Sequence, residues 1–263
     1  MPAPVMHSEV VRVLGEEIVG GVLPPGHVVN LAGLEQRFSR SRTVVREAVR
    51  VLESLGLVVS QRRVGVTVQP ASAWSVLSPQ VIAWRLATDA RDQQLRSLTQ
   101  LRQALEPAAA RAAAALRQSH GGTAAADGDT GADGVAATGG ASATSADVAG
   151  AVSGLREAAD RLRDLGQRGE GDGEAYIEAD VVFHAHLLRA SGNEMFAALE
   201  STIAEVLRGR ARLGRNPAYP TQRALDLHLE LARAVEEGRP EEAENAARGI
   251  AGDVLREITD PTA

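Results

Sequence analysis

One stretch of the chain, residues 40–57, combines a helical apolar repeat with a high density of arginine and reads RSRTVVREAVRVLESLGL. Within residues 42–55 the apolar side chains recur at helical spacing, so one face of a helix can be buried. Arginines occupy another face, and Gly56 is placed where it can end the helix. Such a helix is either a solvated surface helix or one that lies on phosphates and reads bases, and the neighbouring segments must decide.

The segments on both sides of this helix favour the second interpretation. Two further helices are predicted before it, at 8–20 and 31–38, and residues 39–41 form a break. After it, residues 57–70 predict two short strands around a basic turn that contains glycine. Three helices followed by a small hairpin describe a winged helix-turn-helix, in which the third helix enters the major groove.

The third helix and the hairpin carry the side chains that we expect to hold DNA. An arginine near the start of a recognition helix can donate two hydrogen bonds to guanine O6 and N7. Hydroxyl groups beside it can reach phosphates or base edges, and a serine there can also cap the helix. The residues predicted to contact DNA on this basis are Ser41, Arg42, Thr43, Arg46, Arg50, Arg62 and Arg63.

Charge is distributed unevenly along the chain, which supports the same interpretation. The formal net charge is −6, but residues 36–63 carry seven arginines against two glutamates, and the rest of the chain carries a net −11. This asymmetry suggests a basic module for nucleic acid joined to an acidic domain. Aromatic residues make up only 3% of the chain, so the core must consist of Leu, Val, Ile and Ala, which suits packed helices.

The remainder of the chain predicts a second domain built only from helices, one of which runs from 194 to 213. Residues 119–146 are rich in Gly, Ala, Thr and Asp, so we predict a disordered insertion there. The predicted fold class is mainly α, with an N-terminal winged helix-turn-helix followed by an all-α antiparallel helical bundle. The predicted domains are 1–70 for the DNA-binding part, 71–90 for a linker and its helix, and 91–263 for the helical part.

The composition also limits the compartment and the chemistry. The chain contains no cysteine, which excludes disulfides and thiolate metal sites. No segment approaches the ~20 consecutive apolar residues of a membrane span, and the N-terminus has no pattern of a signal peptide. We therefore expect a cytoplasmic protein without a membrane partner.

A small cluster of metal-ligating residue types is predicted in the helical domain. Asp180 and His184 lie four residues apart, on one face of a helix, and His228 lies on a later helix. One carboxylate and two imidazoles can hold a divalent metal inside a bundle, with zinc as the first choice and nickel or manganese as alternatives. The same Asp–His spacing is also common in plain surface pairs, so both interpretations stay open at this point.

Residues 41–68, SRTVVREAVRVLESLGLVVSQRRVGVTV, resemble the DNA-binding domain of the GntR family of bacterial transcription factors. Two positions depart from the family pattern. Ser39 stands where the family often has glycine, and the segment before the second helix lacks the usual acidic entry. The residues that the resemblance places on DNA are Ser41, Arg42, Thr43, Arg46, Arg62, Arg63 and Gly65.

Three later blocks, at 101–114, 180–193 and 228–247, resemble the helical ligand-binding (FCD) domain of the FadR-type branch of this family. The resemblance implies that this domain binds a small organic acid effector and forms a homodimer. It implies that Arg102 reaches an effector cavity and forms two hydrogen bonds to a carboxylate, whereas the sequence alone also allows an exposed helical arginine near Glu106. It also implies that Asp180, His184 and His228 are metal ligands, while Ile250 stands where the family usually has a fourth ligand, histidine.

Residues 73–86, AWSVLSPQVIAWRL, are similar to a linker found in family members that respond to sugar acids such as galactonate, with Ser78 in place of aspartate. A sugar acid is therefore the expected class of effector. We expect Trp74 and Trp84 to pack the linker helix against the helical bundle and not to contact the ligand.

Together these features predict a transcriptional regulator and not an enzyme. We expect a homodimeric repressor that reads an inverted repeat in operator DNA and responds to a small organic acid. One alternative is a metal-dependent enzyme that uses Asp180, His184 and His228, although no motif supplies a base or nucleophile beside them. The other is a helical interaction protein, which leaves the pattern at 41–68 unexplained.

Overall fold

A computed structural model of the 263-residue chain describes residues 4–62, 64–122 and 145–259. The chain divides into two compact units, Met1–Gln94 and Leu95–Ala263. Helices dominate, and the described strands form one small sheet, which confirms the predicted fold class. The predicted domain limits at 70 and 91 stay predictions. Among the described helices, none is both long enough and apolar enough to cross a membrane.

The first unit begins with three helices, α1 (Pro4–Val19), α2 (Leu31–Phe38) and α3 (Arg42–Ser54). Ser41 caps α3, because its side chain accepts a hydrogen bond from the backbone N–H of Val44. Between α2 and α3, Ser39 has a φ of 49°, in the left-handed region. Glycine adopts this conformation without steric cost, which explains why the resembling family often has glycine there.

A three-stranded antiparallel sheet completes the helix-turn-helix and its wing. Its strands are β1 (Val28–Val29), β2 (Val58–Gln61) and β3 (Gly65–Val68), in the order β1-β3-β2. In its register Val28 pairs with Thr67, and Val58 pairs with Val68. The hairpin of β2 and β3 was predicted, whereas β1 is too short to show the alternation by which a strand is recognised.

Helix α4 (Pro79–Leu86) belongs to the first unit. Val81 and Trp84 are buried in the same core as the apolar faces of α1 and α3, and Trp74 packs against this core. The Nε1 atom of Trp74 donates a hydrogen bond to the backbone oxygen of Gln69 at 3.0 Å. The prediction that Trp74 and Trp84 pack α4 against the helical bundle is therefore wrong, because Trp84 is buried in the core of the DNA-binding unit and Trp74 packs against that core.

The remaining helices are α5 (Arg91–Gly122), α6 (Ser145–Gln167), α7 (Glu174–Ala190), α8 (Glu194–Ala197), α9 (Glu200–Arg212), α10 (Gln222–Glu236) and α11 (Pro240–Thr259). The single helix predicted from 194 to 213 is wrong, because α8 ends before Ala198 and α9 starts at Glu200. Most of the insertion predicted at 119–146 lies outside the described residues. Its first four residues end α5, and its last two begin α6.

The second unit has its main core between α6, α7, α10 and α11. Leu155, Phe183 and Leu231 are fully buried there, and each such side chain contributes about 1.5–3 kcal/mol by leaving water. A Cβ atom on Gly154 of α6 would lie 2.4 Å from the ring of His186 on α7. This close approach of α6 to α7 fixes the helix that carries Asp180 and His184.

Candidate functional site

The start of α3 presents an exposed set of polar and cationic side chains. Ser41, Arg42, Thr43 and Arg46 are all exposed. The guanidinium groups of Arg42 and Arg46, and that of Arg62 in the wing, form no hydrogen bond or ion pair with any described residue. Arg63, also predicted to contact DNA, lies outside the described residues. These three unneutralised cations suit phosphate and base-edge contacts.

Other arginines of the first unit are paired within the fold. Arg37 forms two hydrogen bonds to Glu17 of α1, and Glu17 raises the pKa of Arg37 through these bonds. Arg40 bonds Glu9 at 2.9 Å. Arg50, one of the predicted DNA contacts, bonds Glu47 one turn earlier at 2.8 Å. Arg37 and Arg40 thus hold α1 against the helix-turn-helix, and Arg50 is paired within α3. Arg42, Arg46 and Arg62 stay available for a polyanion.

The second unit contains a cavity of about 440 Å³, within the usual range for small-molecule sites. Its apolar lining comes mainly from α10 and α11, and Ile250 is part of it. Its polar and charged lining residues are Arg102, Tyr176, Asp180, His184, Arg210, Asn216, Thr221, Arg223, His228, Asp253, Arg256 and Glu257.

The three predicted metal ligands meet at this cavity. Asp180 and His184 lie on consecutive turns of α7, and His228 approaches from α10. The Oδ1 atom of Asp180 lies 3.4 Å from Nε2 of His184 and 3.6 Å from Nε2 of His228. One ligand atom from each residue lies within 4.8 Å of the others. Two ligand atoms of a tetrahedral zinc site lie about 3.3 Å apart, so both distances from Asp180 suit such an ion.

The orientation of His228 is fixed by a backbone hydrogen bond. Its Nδ1 atom lies 2.6 Å from the carbonyl oxygen of Ala224, so Nδ1 carries the proton and Nε2 keeps its lone pair. Nε2 is buried and has no hydrogen-bond partner among the described residues. A metal-ligating histidine normally donates its other N–H in this way. The residues present therefore fit a divalent metal, although Ile250 supplies no fourth ligand.

Arg102 is fully buried behind these ligands and is held by Glu106. Its Nε donates to Oε1 of Glu106 at 2.7 Å, and its Nη2 donates to Oε2 at 3.2 Å. The same Nη2 lies 3.0 Å from Nε2 of His184. Nη1 makes no hydrogen bond to any described residue. The exposed surface arginine considered at this position is excluded, since its side chain is only 2% exposed.

The charges in this cluster stabilise one another. Burial alone would raise the pKa of Glu106. The attraction of Arg102, and then that of His184, is larger than this effect of burial and lowers the pKa of Glu106 to about 2. Burial likewise acts against the charge of Asp180, yet the neighbouring His184 and His228 hold its pKa well below the usual range. Burial alone would lower the pKa of His184, but the negative charge of Glu106 has the larger effect and the pKa of His184 is raised.

The mouth of the cavity carries three arginines that are paired with acids. Arg210 bonds Glu257 at 2.6 Å, and Arg223 bonds Asp253 at 3.0 Å. Arg256 bonds the same Asp253. Arg210 is mostly buried, whereas the side chains of Arg223 and Arg256 are largely exposed. The mouth is therefore rich in charge but close to neutral.

The loop between α9 and α10 lies against the turn between α6 and α7 and supplies Asn216 to the cavity. Gly171 donates its N–H to the carbonyl oxygen of Ala218 at 2.8 Å. A Cβ atom on Gly171 would lie 2.4 Å from the oxygen of Pro217, and one on Gly169 would lie 2.4 Å from the Tyr219 ring. Glycine at both positions thus allows the loop to close one side of the cavity.

Unpartnered polar atoms concentrate at this cavity. Oδ1 of Asn216 and Nε2 of His228 are buried without a hydrogen-bond partner among the described residues. Buried polar atoms are nearly always satisfied, so a cluster of exceptions indicates a place for a ligand, an ion or water. Sequence reasoning missed Asn216 and Arg210, for which no local pattern existed, and did not assign a role to Glu106, which the spacing to Arg102 could have revealed.

Comparisons with known families agree with the two units. The family described as "Bacterial regulatory proteins, gntR family" matches residues 7–68. The family described as "FCD domain" matches residues 135–252. Together these matches cover more than half of the chain, and each falls on the unit for which its resemblance was noted.

The similar proteins of known name are transcription regulators. The galactonate operon transcriptional repressor of Escherichia coli (strain K12) is 27% identical over 259 residues, covering 97% of this chain and 97% of the repressor. The HTH-type transcriptional regulator LutR of Bacillus subtilis (strain 168) is 26% identical, covering 87% of this chain and 90% of LutR. The metal-dependent enzyme considered from the sequence finds no support in these relatives.

A solved structure shares the fold at low sequence identity. It is described as "Lar controls the expression of the Listeria monocytogenes agr system and mediates virulence", and it covers 96% of each chain with a TM-score of 0.58 and 14% identity. At this identity the likeness concerns the arrangement of helices alone.

Proposed function

Because the chain belongs to the GntR family of bacterial transcription regulators and carries an FCD domain, we propose that it is a repressor controlled by a small organic acid. The unneutralised guanidinium groups of Arg42 and Arg46 on the exposed start of α3 carry the DNA-binding part of this proposal. The cavity around Arg102 carries the effector part. As a regulator that acts on DNA, it works in the cytoplasm.

The DNA contacts divide by role. Arg42 and Arg46 read base edges in the major groove, where a forked arginine–guanine pair gives about 1–3 kcal/mol of discrimination. Ser41 and Thr43 contact phosphates and set the register. The wing contributes through Arg62, Arg63 and Gly65, and Arg50, farther along α3, contributes when it leaves its pair with Glu47. Two copies of this surface in a homodimer read an inverted repeat.

The effector is a polyhydroxylated carboxylate, and a sugar acid is the class that fits. The free Nη1 of Arg102 offers donors to the carboxylate. The unpartnered Oδ1 of Asn216, also at the cavity, accepts from a hydroxyl group of the ligand. A relative named as a galactonate operon repressor, similar over its whole length, supports this class.

Asp180, His184 and His228 would hold a divalent metal, with zinc as the first candidate and nickel or manganese as alternatives. When bound, such an ion supplies positive charge and an open position for an oxygen ligand. The chain's own contribution is to orient the ligands. The Ala224 carbonyl holds His228, and Glu106 lies 3.3 Å from Nδ1 of His184.

Effector binding controls DNA through a coupling free energy, typically about 1–3 kcal/mol, which changes operator occupancy about 5–150-fold. The test is fluorescence anisotropy with duplexes from the region upstream of the protein's own gene and with random duplex. Specific, salt-sensitive binding that galactonate weakens supports the proposal. Equal affinity for upstream and random duplex at every salt concentration contradicts its DNA part. Operator binding and melting temperature that no sugar acid alters contradict its effector part.

A further inference from the structure

One buried contact of the second unit joins Arg102 to a predicted metal ligand. Nη2 of Arg102 lies 3.0 Å from Nε2 of His184. That nitrogen is also the one nearest to Asp180, at 3.4 Å from its Oδ1. A guanidinium N–H therefore contacts the nitrogen that a metal held by Asp180 and His184 would have to bind.

The chemistry of the two groups makes this contact a hydrogen bond of one defined kind. Arginine has only N–H donors and no acceptor, so Nε2 of His184 must accept, and the ring proton sits on Nδ1, which faces Glu106 at 3.3 Å. A neutral imidazole has one lone pair on its unprotonated nitrogen. The lone pair that accepts from Arg102 is the one that a metal needs.

Arg102 is also firmly held in this position. Two hydrogen bonds join it to Glu106 on the next turn of α5. The side chains of both residues are almost completely buried, at 2% and 1% exposure. The guanidinium brings a permanent positive charge to a site that would receive a second one, and the buried surroundings screen the repulsion poorly.

We propose that Arg102 and a divalent cation compete for Nε2 of His184, so that metal binding breaks the Arg102–His184 hydrogen bond. This inference rests on the metal site of the proposed function and concerns its regulation. In the metal-free protein, Arg102 satisfies His184 and supplies the positive charge of the cavity. Metal binding leaves an N–H of Nη2 without its acceptor, which makes a donor available for an effector carboxylate.

The test is the affinity of the metal-free full-length protein for Zn²⁺ and Ni²⁺, measured by calorimetry in competition with a chelator. Arg102→Met/Glu106→Gln removes the competing donor together with the buried carboxylate that pairs with it. Arg111→Met/Glu244→Gln is the matched control, because Arg111 lies on the same helix and bonds Glu244 in an exposed pair at 2.9 Å. Arg102→Lys keeps the charge but cannot fork onto Glu106 and reach His184 at once.

We expect Arg102→Met/Glu106→Gln to bind metal about 10- to 100-fold more tightly than the wild type, since binding no longer costs a buried, charge-assisted hydrogen bond. Arg102→Lys should change in the same direction by a smaller factor, and the control pair should bind as the wild type does. Unchanged affinity in both Arg102 variants overturns the inference.

A crystal structure of the zinc-bound wild-type protein gives a second answer that does not depend on whether a variant folds. The inference is supported if Nη2 of Arg102 then lies beyond hydrogen-bond distance of Nε2 of His184. It is overturned if this contact is retained beside a bound zinc ion. These outcomes are separate from those for the proposed function, because they need neither DNA nor effector. Loss of operator binding in the anisotropy test would leave them standing.

Discussion

Gly15 of α1 lies directly against the indole ring of Trp84 on α4. A Cβ atom built on Gly15 would come within 2.6 Å of two ring carbons of Trp84. The ring is buried in the core of the DNA-binding unit, so it has no free space into which it can retreat. The absence of a side chain at Gly15 therefore permits α4 to pack onto α1.

We expect Gly15→Ala to lower the free energy of unfolding of the first unit by about 1–3 kcal/mol, because the added methyl group overpacks this contact. Gly33→Ala is the matched control. Gly33 also lies inside a helix, but nothing lies within 4 Å of a Cβ atom there, so that change should raise stability by up to about 1 kcal/mol. Urea titration followed by tryptophan fluorescence measures both, and equal stability of the two variants would show that Trp84 does not press on Gly15.

Arg46→Ala should weaken operator binding by about 1–3 kcal/mol, roughly 5- to 150-fold, while the fold persists. Arg37→Ala removes the same charge from α2, but Arg37 is committed to Glu17, so DNA affinity should stay nearly constant. If Arg46 contacts a phosphate instead of a base, the loss of affinity is the same for all DNA sequences. The slope of log affinity against log salt concentration then becomes shallower by about one. Anisotropy titrations at several salt concentrations distinguish these cases, and undiminished binding by Arg46→Ala contradicts the assignment.

His184→Ala should abolish thermal stabilisation by Zn²⁺ and weaken the response to a sugar acid, while metal-free DNA binding stays largely intact. His186→Ala is its control on the same helix, because His186 packs over Gly154 and does not line the cavity with Asp180. That variant should melt at a lower temperature but keep the Zn²⁺ shift. Differential scanning fluorimetry with and without metal gives the comparison, and an equal Zn²⁺ shift in both variants would remove His184 from the site.

Stability should fall in acid because of Glu106. Its pKa is about 2 in the folded protein, below the usual value near 4.3 of an unfolded chain. The carboxylate therefore contributes stability that is complete above about pH 5 and is lost as the pH falls towards 2. Asp180 acts in the same direction, since its pKa is also lowered.

Glu106→Gln isolates this effect. At neutral pH it should cost about 3–5 kcal/mol, because Arg102 is left buried without its partner. Between pH 5 and 2 its melting temperature should fall less steeply than that of the wild type. Parallel curves for the two proteins would show that Glu106 is not the titrating group.

The sequence predicted most of the elements, because helical periodicity and capping residues are local signals. Ser41 was expected as a cap, and its side chain accepts the hydrogen bond of a cap. The Asp180–His184 pair followed from helical spacing alone. The pairing of His228 with them needed either the resemblance or the fold, since 44 residues separate it from His184.

What the sequence missed depends on long-range packing. Arginine is rarely buried, so spacing alone left Arg102 equally well described as a surface residue. Its contact with His184, 82 residues later, is visible only after α5 and α7 have packed. The prediction for Trp74 and Trp84 was wrong for the same reason, because the apolar face of α4 does not reveal which of the two cores it packs against. Asn216 lies in a loop without any repeating pattern.

At Gly169 and Gly171 the loop between α9 and α10 lies directly against the turn between α6 and α7. The contact leaves no room for a methyl group at either glycine. A larger residue at either glycine would push the loop away from the turn. The rim of the cavity can instead be altered at Arg223 and Arg256, whose side chains extend into solvent. Relatives that admit larger or smaller acids should differ at that rim and keep the two glycines.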